Sequence, residues 1–256
     1  MEETIDVHQL TVSYEKTSAL WDINVSIPRG SLVGIIGPNG AGKSTFLKAL
    51  LGIVSPVSGR VLFFGESFKK AKHRIAYVPQ KGSIDWDFPI TVFDVVLMGR
   101  FGKCRGLKWY TKADKEGARK VLKRLEMETL KDRQINSLSG GQQQRLFLAR
   151  ALLQEGDILL LDEPFAAVDK ATEEIIIKLL KHLRDQGKTI LVVHHDLNTA
   201  PDYFDQALLL NTSLVAYGDV KETLTPDNLS RTYGKRGDLF DEATRLSEEQ
   251  RAGLLR

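Results

Sequence analysis

The sequence predicts an α/β fold whose core is a parallel β-sheet. Residues 158–161 and 189–193 are apolar throughout, which is typical of strands buried on both faces of such a sheet. Residues 33–36 form a third apolar run, and a glycine-rich turn leads from it into a helical pattern. Because strand and helix patterns alternate, we expect a doubly wound sheet with its ligands at the carboxyl ends of the strands.

The composition fits a soluble globular protein of one or two domains. Of its 256 residues, 42% are hydrophobic and 27% are charged, which is enough for a hydrophobic core. A net charge of +3, from 36 basic and 33 acidic residues, is too evenly balanced to indicate a nucleic-acid partner. The single cysteine, Cys104, excludes a disulfide within the chain, and no apolar run is long enough for a membrane span. We therefore expect a cytoplasmic chain that reaches a membrane only through a partner.

The N-terminal third predicts strands on either side of one helix. Residues 4–10 and 18–27 carry alternating or branched apolar side chains and are predicted to be edge strands placed before the strand at 33–36. Tyr14 lies between them and could stack on an adenine ring or pack under the sheet; its spacing alone favours packing. A helix is predicted over residues 43–51, and further strands over 60–65 and 75–78.

Residues 81–150 are predicted to be a helical insertion within the α/β domain. Aromatic and apolar residues in its first part follow no strict period: Trp86, Phe88, Phe93, Met98, Phe101 and Trp109. Residues 111–130 predict an amphipathic helix with one apolar face, formed by Ala118, Val121, Leu122 and Leu125. Residues 136–142 are predicted to open a second helix that ends near Leu153.

The C-terminal part predicts a helix, a hairpin and a charged segment. The helix covers residues 170–185, with an inward face of Ile175, Ile176, Leu179, Leu180 and Leu183. Residues 207–210 and 214–217 form a predicted hairpin. The charged segment at 226–256 holds one capping-box pattern, Ser247 with Gln250, which predicts no more than a peripheral or frayed helix.

A phosphate-binding loop follows the strand at 33–36. The run reads Gly37-Pro38-Asn39-Gly40-Ala41-Gly42-Lys43-Ser44 and matches G-x-x-x-x-G-K-[ST] between a strand and a helix. The glycines let backbone N–H groups surround a phosphate. Lys43 can reach the β- and γ-phosphate oxygens, and the Ser44 hydroxyl can bind Mg²⁺. The motif predicts a nucleoside triphosphate site; a glycine-rich turn without a ligand is the much weaker alternative.

Two acidic residues end the buried strand at 158–161. In a parallel sheet, Asp162 and Glu163 lie beside the phosphate-binding loop. Asp162 can hold the hydration shell of the Mg²⁺ that Ser44 binds, and Glu163 can accept a proton from an attacking water as a general base. Such a pair also caps helices elsewhere, so the interpretation depends on the phosphate-binding loop upstream.

A second glycine-rich motif begins the helix near residue 140. It reads Leu138-Ser139-Gly140-Gly141-Gln142, and its serine and glycines can form another group of backbone amides for an anion. Because one nucleotide seldom needs two such groups, we expect this motif to complete the site of a second copy of the chain. The alternative is an ordinary serine-capped helix.

These motifs together resemble the ATP-binding-cassette (ABC) ATPases. The resemblance extends from about residue 4 to 220 and rests on residues 37–45, 138–142 and 158–163, together with Gln80, Asp169 and His195, in the family's order. It implies a P-loop NTPase fold with a parallel sheet core, an N-terminal antiparallel β-subdomain and an inserted helical subdomain. The ATPase domain would cover residues 1–225, with the helical subdomain at about 81–150 and the charged tail at 226–256.

The resemblance also implies roles for individual residues. Tyr14 corresponds to the aromatic residue that stacks on adenine, and Thr45 closes the phosphate-binding loop. Gln80 corresponds to the glutamine that senses Mg²⁺ and the γ-phosphate and links to the membrane partner. His195 corresponds to the switch histidine on the γ-phosphate, while His194 is expected to point to the opposite face. The implied cofactors are ATP and Mg²⁺.

One segment departs from the family pattern. Where the family usually has Ser-Ala-Leu-Asp after the catalytic glutamate, this chain has Ala166-Ala167-Val168-Asp169. The aspartate is kept, but the hydroxyl that contacts the second copy is absent.

A narrower resemblance is to the ATPase subunits of bacterial manganese, zinc and iron importers. It rests on residues 78–89, 95–100 and 193–197. It implies a homodimer on the cytoplasmic face of the membrane, bound to integral permease subunits, with an extracytoplasmic metal-binding protein delivering the metal. An importer of haem, cobalamin or a siderophore, and a soluble cassette protein without a transport role, are the alternatives.

No tight metal site is expected in the isolated chain beyond the one formed with ATP. A histidine pair could suggest metal ligands, but His194 and His195 have no third or fourth ligand nearby in the sequence. Cys104 and the scattered His8, His73 and His182 do not have the spacing of a site for a borderline metal.

Overall fold

The computed structural model describes residues 3–15, 17–103, 110–166 and 168–234. The predicted positions Cys104, Trp109, Ala167, Ser247 and Gln250 lie outside these residues. Within them the strands are β1 (Glu3–Tyr14), β2 (Thr17–Pro28), β3 (Leu32–Ile36), β4 (Ser58–Phe63), β5 (Glu66–Ser67), β6 (Ile75–Val78), β7 (Ile158–Leu161), β8 (Thr189–His194), β9 (Gln206–Asn211) and β10 (Ser213–Asp219). The α-helices are α1 (Lys43–Leu50), α2 (Phe68–Ala71), α3 (Val92–Leu97), α4 (Lys112–Arg124), α5 (Gly140–Gln154), α6 (Lys170–Asp185), α7 (Ala200–Tyr203), α8 (Val220–Thr223) and α9 (Pro226–Tyr233).

The strands form two sheets. A four-stranded sheet has the order β2-β1-β4-β5, and its pairs are antiparallel. The predicted strands at 4–10 and 18–27 lie within β1 and β2, and this sheet is the N-terminal antiparallel β-subdomain that the family resemblance implies; β2 is an edge strand as predicted, whereas β1 lies between β2 and β4. From Ile23 to Pro28 of β2, buried side chains alternate with exposed or half-buried ones, which suits an antiparallel sheet with one solvated face; β1 has neighbours on both sides and is buried over longer runs.

The six-stranded sheet carries the parallel core. Its order is β10-β9-β3-β8-β7-β6, and β9, β3, β8, β7 and β6 run parallel, while β10 is antiparallel to β9 as the predicted hairpin requires. All residues of β3, β7 and β8 are buried. Because the parallel strands end at one edge, the residues that follow β3, β6, β7 and β8 meet there.

Two hydrophobic clusters cover the two faces of this sheet. Leu32 and Ile36 of β3 face the cluster formed with α3, α4, α5 and α6. Val33 and Ile35 face the second cluster, which contains α1 and the buried side of the antiparallel sheet. The alternation along β3 thus places one subdomain on each face of the strand that leads into the phosphate-binding loop.

Helices α3, α4 and α5 lie between β6 and β7 in the sequence and pack on one another. The predicted helix at 111–130 is shorter than expected, because α4 ends at Arg124 and Glu126 takes a positive φ of 57°. A capping box between Thr111 and Asp114 begins α4. The helix that residues 136–142 are predicted to open is α5, which begins at Gly140 and ends at Gln154, one residue beyond the predicted end.

Two further details concern α6 and α9. In α6, Ile177 is buried and Ile175 is only half-buried, so one residue of the predicted inward face is wrong. Helix α9 starts at a threonine cap, Thr225, and packs on β9 and β10 with Thr232 fully buried. The first residues of the 226–256 segment thus pack on the sheet.

Among the residues that the structure describes, no helix has both the length and the apolar character needed to cross a bilayer.

Candidate functional site

The phosphate-binding loop turns sharply between β3 and α1. Gly40 and Gly42 have φ values of 84° and 93°, a region that side chains with a Cβ rarely adopt. A Cβ on Gly37 would overlap the carbonyl oxygen of Leu210, and one on Gly42 would overlap that of Ala19. Gly42 is the N-cap of α1, and no side chain caps the helix. The N–H groups of its first turn therefore point towards the loop, where an anion would be stabilised.

A pocket of about 310 Å³ lies over this loop. It is lined by Tyr14, Ala19, Asn39, Gly40, Ala41, Gly42, Lys43, Ser44, Thr45 and Glu163. The antiparallel sheet supplies Tyr14 and Ala19, the loop supplies 39–45, and the end of β7 supplies Glu163. Tyr14 is 48% exposed, so its ring is available at the pocket rather than packed under the sheet. Ala19 is not predicted from the sequence, because only the packing of the antiparallel sheet against the loop places it at the pocket.

Lys43 lies against the loop that precedes it. Its Nζ donates hydrogen bonds to the carbonyl oxygens of Gly37 at 2.7 Å and Pro38 at 2.9 Å. Burial lowers the pKa of Lys43, and the charges of Glu163 and Asp162 act in the opposite direction. The cation is thus held between the phosphate-binding loop and the two acids.

Asp162 and Ser44 meet although they are far apart in sequence. The Ser44 hydroxyl donates a 2.9 Å hydrogen bond to Oδ1 of Asp162, and the side chain of Asp162 is almost fully buried. Burial raises the pKa of Asp162, whereas the hydrogen bond from Ser44 lowers it. The backbone N–H of Asp162 donates to the carbonyl of Val78 at 2.9 Å. This bond continues the pairing of β6 with β7 and fixes the carboxylate beside α1.

Glu163 is held by Gln80 in a strained backbone conformation. Gln80 Nε2 donates a 2.7 Å hydrogen bond to Oε2 of Glu163. Glu163 has a φ of 52°, which is uncommon for a residue with a side chain and costs of order 1–3 kcal/mol. Glu163 lines the pocket over the phosphate-binding loop, and the bond from Gln80 fixes the direction of its carboxylate.

The two histidines that end β8 differ in exposure. His195 is exposed, whereas His194 is only 2% exposed. His194 Nε2 lies 2.9 Å from the Thr199 hydroxyl oxygen, and its ring makes an edge contact with Phe165. Burial lowers the pKa of His194 to about 4, with the charge of His195 adding to the effect, so His194 is neutral near pH 7.

The motif at 138–142 lies outside this pocket. Ser139 is exposed and caps α5: its hydroxyl accepts from the N–H of Gln142, and its own N–H donates to Oε1 of Gln142 at 2.9 Å. Gly141 lies so close to Thr172 of α6 that a Cβ would approach the threonine oxygen to 3.1 Å. No residue of this motif lines the pocket over the phosphate-binding loop, as far as the described residues show.

Asp169 also caps a helix. Its Oδ1 accepts a 2.8 Å hydrogen bond from the N–H of Thr172 at the start of α6, and this bond lowers the pKa of Asp169. Gly141 and Asp169 both contact Thr172, so the starts of α5 and α6 lie side by side. The N–H of Ala166 donates to the carbonyl of Glu163 at 3.1 Å, which closes the turn after β7.

Within the described part of the chain, no group of three or more His, Cys, Asp or Glu side chains is arranged to hold a metal ion.

The fold and this site define a phosphate-loop nucleotide-binding protein, and comparison with known proteins gives its family. The family described as ABC transporter matches residues 20–166. The manganese transport system ATP-binding protein MntB of Bacillus subtilis (strain 168) is 53% identical over 232 residues, which cover 91% of this chain and 93% of the relative. The zinc transport system ATP-binding protein TroB of Treponema pallidum (strain Nichols) is 51% identical, covering 91% and 87%.

Solved structures show the same fold. CbiO1 of Clostridium perfringens, part of an ABC transporter complex, has a TM-score of 0.76 at 29% identity, covering 94% of this chain and all of that one. A dimeric ATP-binding cassette bound to ADP and Pi in a post-hydrolysis state has a TM-score of 0.75 at 30% identity, covering 84% and 98%. The chain belongs to the ABC transporter family, and it is an ATP-hydrolysing cassette of that family.

The buried, neutral His194 predicts a pH dependence of stability. An unfolded histidine has a pKa near 6.5, so between about pH 6.5 and pH 4 the unfolded chain binds more protons than the folded one. The free energy of unfolding therefore falls as the pH falls through this window, by up to about 3 kcal/mol from this residue. We expect His194→Phe to remove that part of the pH dependence in urea unfolding measured between pH 4.5 and 7. If the free energy of unfolding changes with pH equally in the wild-type protein and in His194→Phe, His194 is not the source of this pH dependence.

Proposed function

We propose that this chain is the ATP-binding and ATP-hydrolysing subunit of a bacterial importer of transition metal ions, with manganese as the favoured cargo. The observation that carries the ATPase part is the meeting of Lys43 and Ser44 with Asp162 and Glu163 at one edge of the sheet. The relatives named for manganese transport support the cargo. A zinc transport relative of nearly equal identity makes zinc the second candidate.

The donor groups at the site suit Mg²⁺. Ser44 Oγ and Asp162 Oδ1 are oxygen donors that already lie 2.9 Å apart, and Gln80 lies at the same edge through its bond to Glu163. Hard cations prefer such oxygen ligands. Ser44, Asp162 and Gln80 would hold the ion, which would neutralise charge on the phosphates of the nucleotide.

The remaining residues of the pocket would bind and orient ATP. Tyr14 would stack on the adenine ring, which its exposure at the pocket permits. The backbone N–H groups of residues 39–45 and the Lys43 ammonium would hold the phosphates. Glu163 would accept the proton of the attacking water, since its carboxylate lines the pocket while Gln80 fixes its direction. His195 would contact the γ-phosphate.

Two copies of the chain would form two composite sites. Ser139 is exposed, and its motif lies away from the pocket of its own chain, so Ser139, Gly140, Gly141 and Gln142 are available to a nucleotide on the partner. Asp169 would stand at the same interface, because it lies beside Gly141 across Thr172. The cassette of known structure that is dimeric with ADP and Pi supports this arrangement.

The segment after Gln80 would dock on an integral permease at the cytoplasmic face of the membrane. Phe88, Met98 and Phe101 are 57%, 50% and 75% exposed there, whereas Trp86 is half-buried against Phe147. Several large apolar side chains exposed on one segment mark an interaction site. An extracytoplasmic binding protein would deliver the metal to the permease, and no nucleic acid takes part.

Glu163→Gln tests the proposed base. The amide keeps an oxygen for the hydrogen bond from Gln80 but cannot take a proton. We expect ATP binding to be unchanged and kcat to fall roughly 10²–10⁴-fold, about 3–5 kcal/mol of barrier, with an ATP-bound dimer accumulating in size-exclusion chromatography. Glu174→Gln, on the exposed side of α6, is the matched control. Near-normal hydrolysis by Glu163→Gln would remove Glu163 from the role.

Ser139→Arg tests the composite site. The larger, charged side chain would stand where the partner's γ-phosphate binds, while Lys43 and the phosphate-binding loop stay intact. Hydrolysis should collapse and binding of ATP to the single chain should survive in a fluorescent-nucleotide titration. Ser230→Arg makes the same change at an exposed position of α9. A parallel loss of binding and hydrolysis would show that Ser139 acts within its own chain.

Uptake by the source cell tests the cargo. Deletion of the gene should lower uptake of radiolabelled Mn²⁺ first, with Zn²⁺ and Fe²⁺ measured beside it. The wild-type chain should restore uptake, and Glu163→Gln should not. If uptake of all three metals is unchanged while haem or cobalamin uptake falls, the metal assignment is wrong and the cassette assignment stands.

A further inference from the structure

Four aromatic side chains pack together under the nucleotide site. They are Phe165, His194, Tyr203 and Phe204, and we refer to them as the aromatic cluster. The His194 ring is central: its centroid lies 5.5 Å from Phe165, 5.9 Å from Tyr203 and 5.2 Å from Phe204. The contacts with Phe165 and Phe204 are edge contacts, the geometry that aromatic pairs favour. None of the four side chains was singled out from the sequence for this packing.

The members of the aromatic cluster come from three segments that end at the site. Phe165 follows the proposed base Glu163 by two residues, and His194 directly precedes the exposed His195. Tyr203 and Phe204 come from the end of α7, and Phe204 covers Gly34 of β3 so closely that a Cβ on that glycine would approach its ring to 2.6 Å. The aromatic cluster therefore ties the turn after β7 and the loop after β8 to the strand that leads into the phosphate-binding loop.

Hydrogen bonds of His194 close the loop that bears His195. The Thr199 hydroxyl donates to the carbonyl of Asp196, and the same oxygen lies 2.9 Å from His194 Nε2. The imidazole and the hydroxyl can each donate or accept, so the direction of the bond between His194 and Thr199 follows the tautomer of the ring. The segment from 195 to 198 is thus bridged by one imidazole and one hydroxyl, both fixed by the aromatic cluster.

A lysine extends this packing to the start of α6. Lys170 Nζ donates a 3.1 Å hydrogen bond to the Tyr203 hydroxyl, and Lys170 follows Asp169 directly. Tyr203 in turn packs on both His194 and Phe165. The aromatic cluster thus contacts three parts of the chain: the loop of His195, the turn of Glu163 and the start of α6.

We propose that His194 is a positioning residue for ATP hydrolysis, which acts by holding the loop of His195 in place against the packed ring of Phe165. The inference rests on the proposed role of His195 at the γ-phosphate. A histidine meets both needs of the position, because its ring fills the aromatic cluster and its Nε2 lies within hydrogen-bond distance of the Thr199 hydroxyl. Phenylalanine would keep the ring contacts and lose the hydrogen bond, and glutamine would keep a hydrogen-bonding group of similar reach.

The test is a double-mutant cycle measured by steady-state ATP hydrolysis. His194→Phe and Thr199→Val each remove the hydrogen bond between the loop of His195 and the aromatic cluster. The loss of one buried hydrogen bond corresponds to about a tenfold change in an equilibrium or rate constant. We expect kcat to fall about tenfold in each variant, with KM for ATP changed less than twofold, because the phosphate-binding loop is untouched. In a His195→Ala background, the same two substitutions should change kcat less than twofold. His194→Gln should recover part of the lost kcat.

Thr189→Val is the matched control for Thr199→Val. Thr189 is fully buried at the opposite end of β8, and its hydroxyl accepts a hydrogen bond from the N–H of Gly30. Thr189→Val removes the same hydroxyl group at the start of β8, whereas His194 lies at the other end of that strand, and it should leave kcat unchanged. Urea unfolding of each variant identifies a protein that has not folded, and Thr199→Val carries the test if His194→Phe fails to fold.

Three outcomes would overturn the inference. Equal loss of kcat by the His194 and Thr199 variants with and without His195 would show a general structural role and leave the ATPase assignment intact. Full activity of His195→Ala alone would remove the proposed role of His195 and the inference with it. Wild-type kcat in both His194→Phe and Thr199→Val would show that the bond does not position the loop. Absence of hydrolysis by the wild-type protein would instead overturn the proposed function.

Discussion

The hydrogen bond between Ser44 and Asp162 is the contact on which the site depends. Ser44 lies in the first turn of α1, which follows β3, and Asp162 follows β7; in the sheet, β8 lies between these two strands. The parallel register pairs Ile36 with His194 and Leu161 with Val192, so the strand ends lie at one edge. A shift of this register would separate the hydroxyl from the carboxylate. The buried sheet and its two hydrophobic clusters therefore fix the spacing of the proposed catalytic groups.

Several residues of the site have backbone conformations or burial that are unfavourable on their own. Glu163 has a positive φ, and the tight loop admits no Cβ at Gly37 or Gly42. Asp162 is nearly fully buried at a position where burial raises its pKa. Each of these features lowers the free energy of unfolding, and burial of the surrounding hydrophobic core must offset that loss. These destabilising features all occur at one edge of the sheet, where the geometry that the proposed site needs is kept at the expense of local stability.

The groups that face outward differ in kind from those in the pocket. Ser139 and Asp169 serve as helix caps in the single chain, yet both lie on surfaces that a second copy can reach. A cap fixes the direction of the first helical N–H groups, so the same residue can stabilise its own helix and orient that helix end towards a partner. The serine-cap alternative and the composite-site interpretation are therefore compatible.

The sequence by itself determined the local parts of this protein. The phosphate-binding loop, the acids after β7 and the cap of α5 depend on short-range backbone geometry, and residues 37–44, 162–163 and 139–142 encode them in continuous runs. The buried strands β7 and β8 follow from their apolar runs for the same reason.

Tertiary structure decided which of these parts meet. The pairing of β1 with β4 as well as β2, the place of Ala19 in the pocket and the burial of Ile177 instead of Ile175 all depend on packing between segments distant in the chain. The aromatic cluster around His194 joins three such segments, and a single sequence records no distance between them. Local patterns fix what each segment is, whereas the faces that pack together are chosen only when the hydrophobic clusters form.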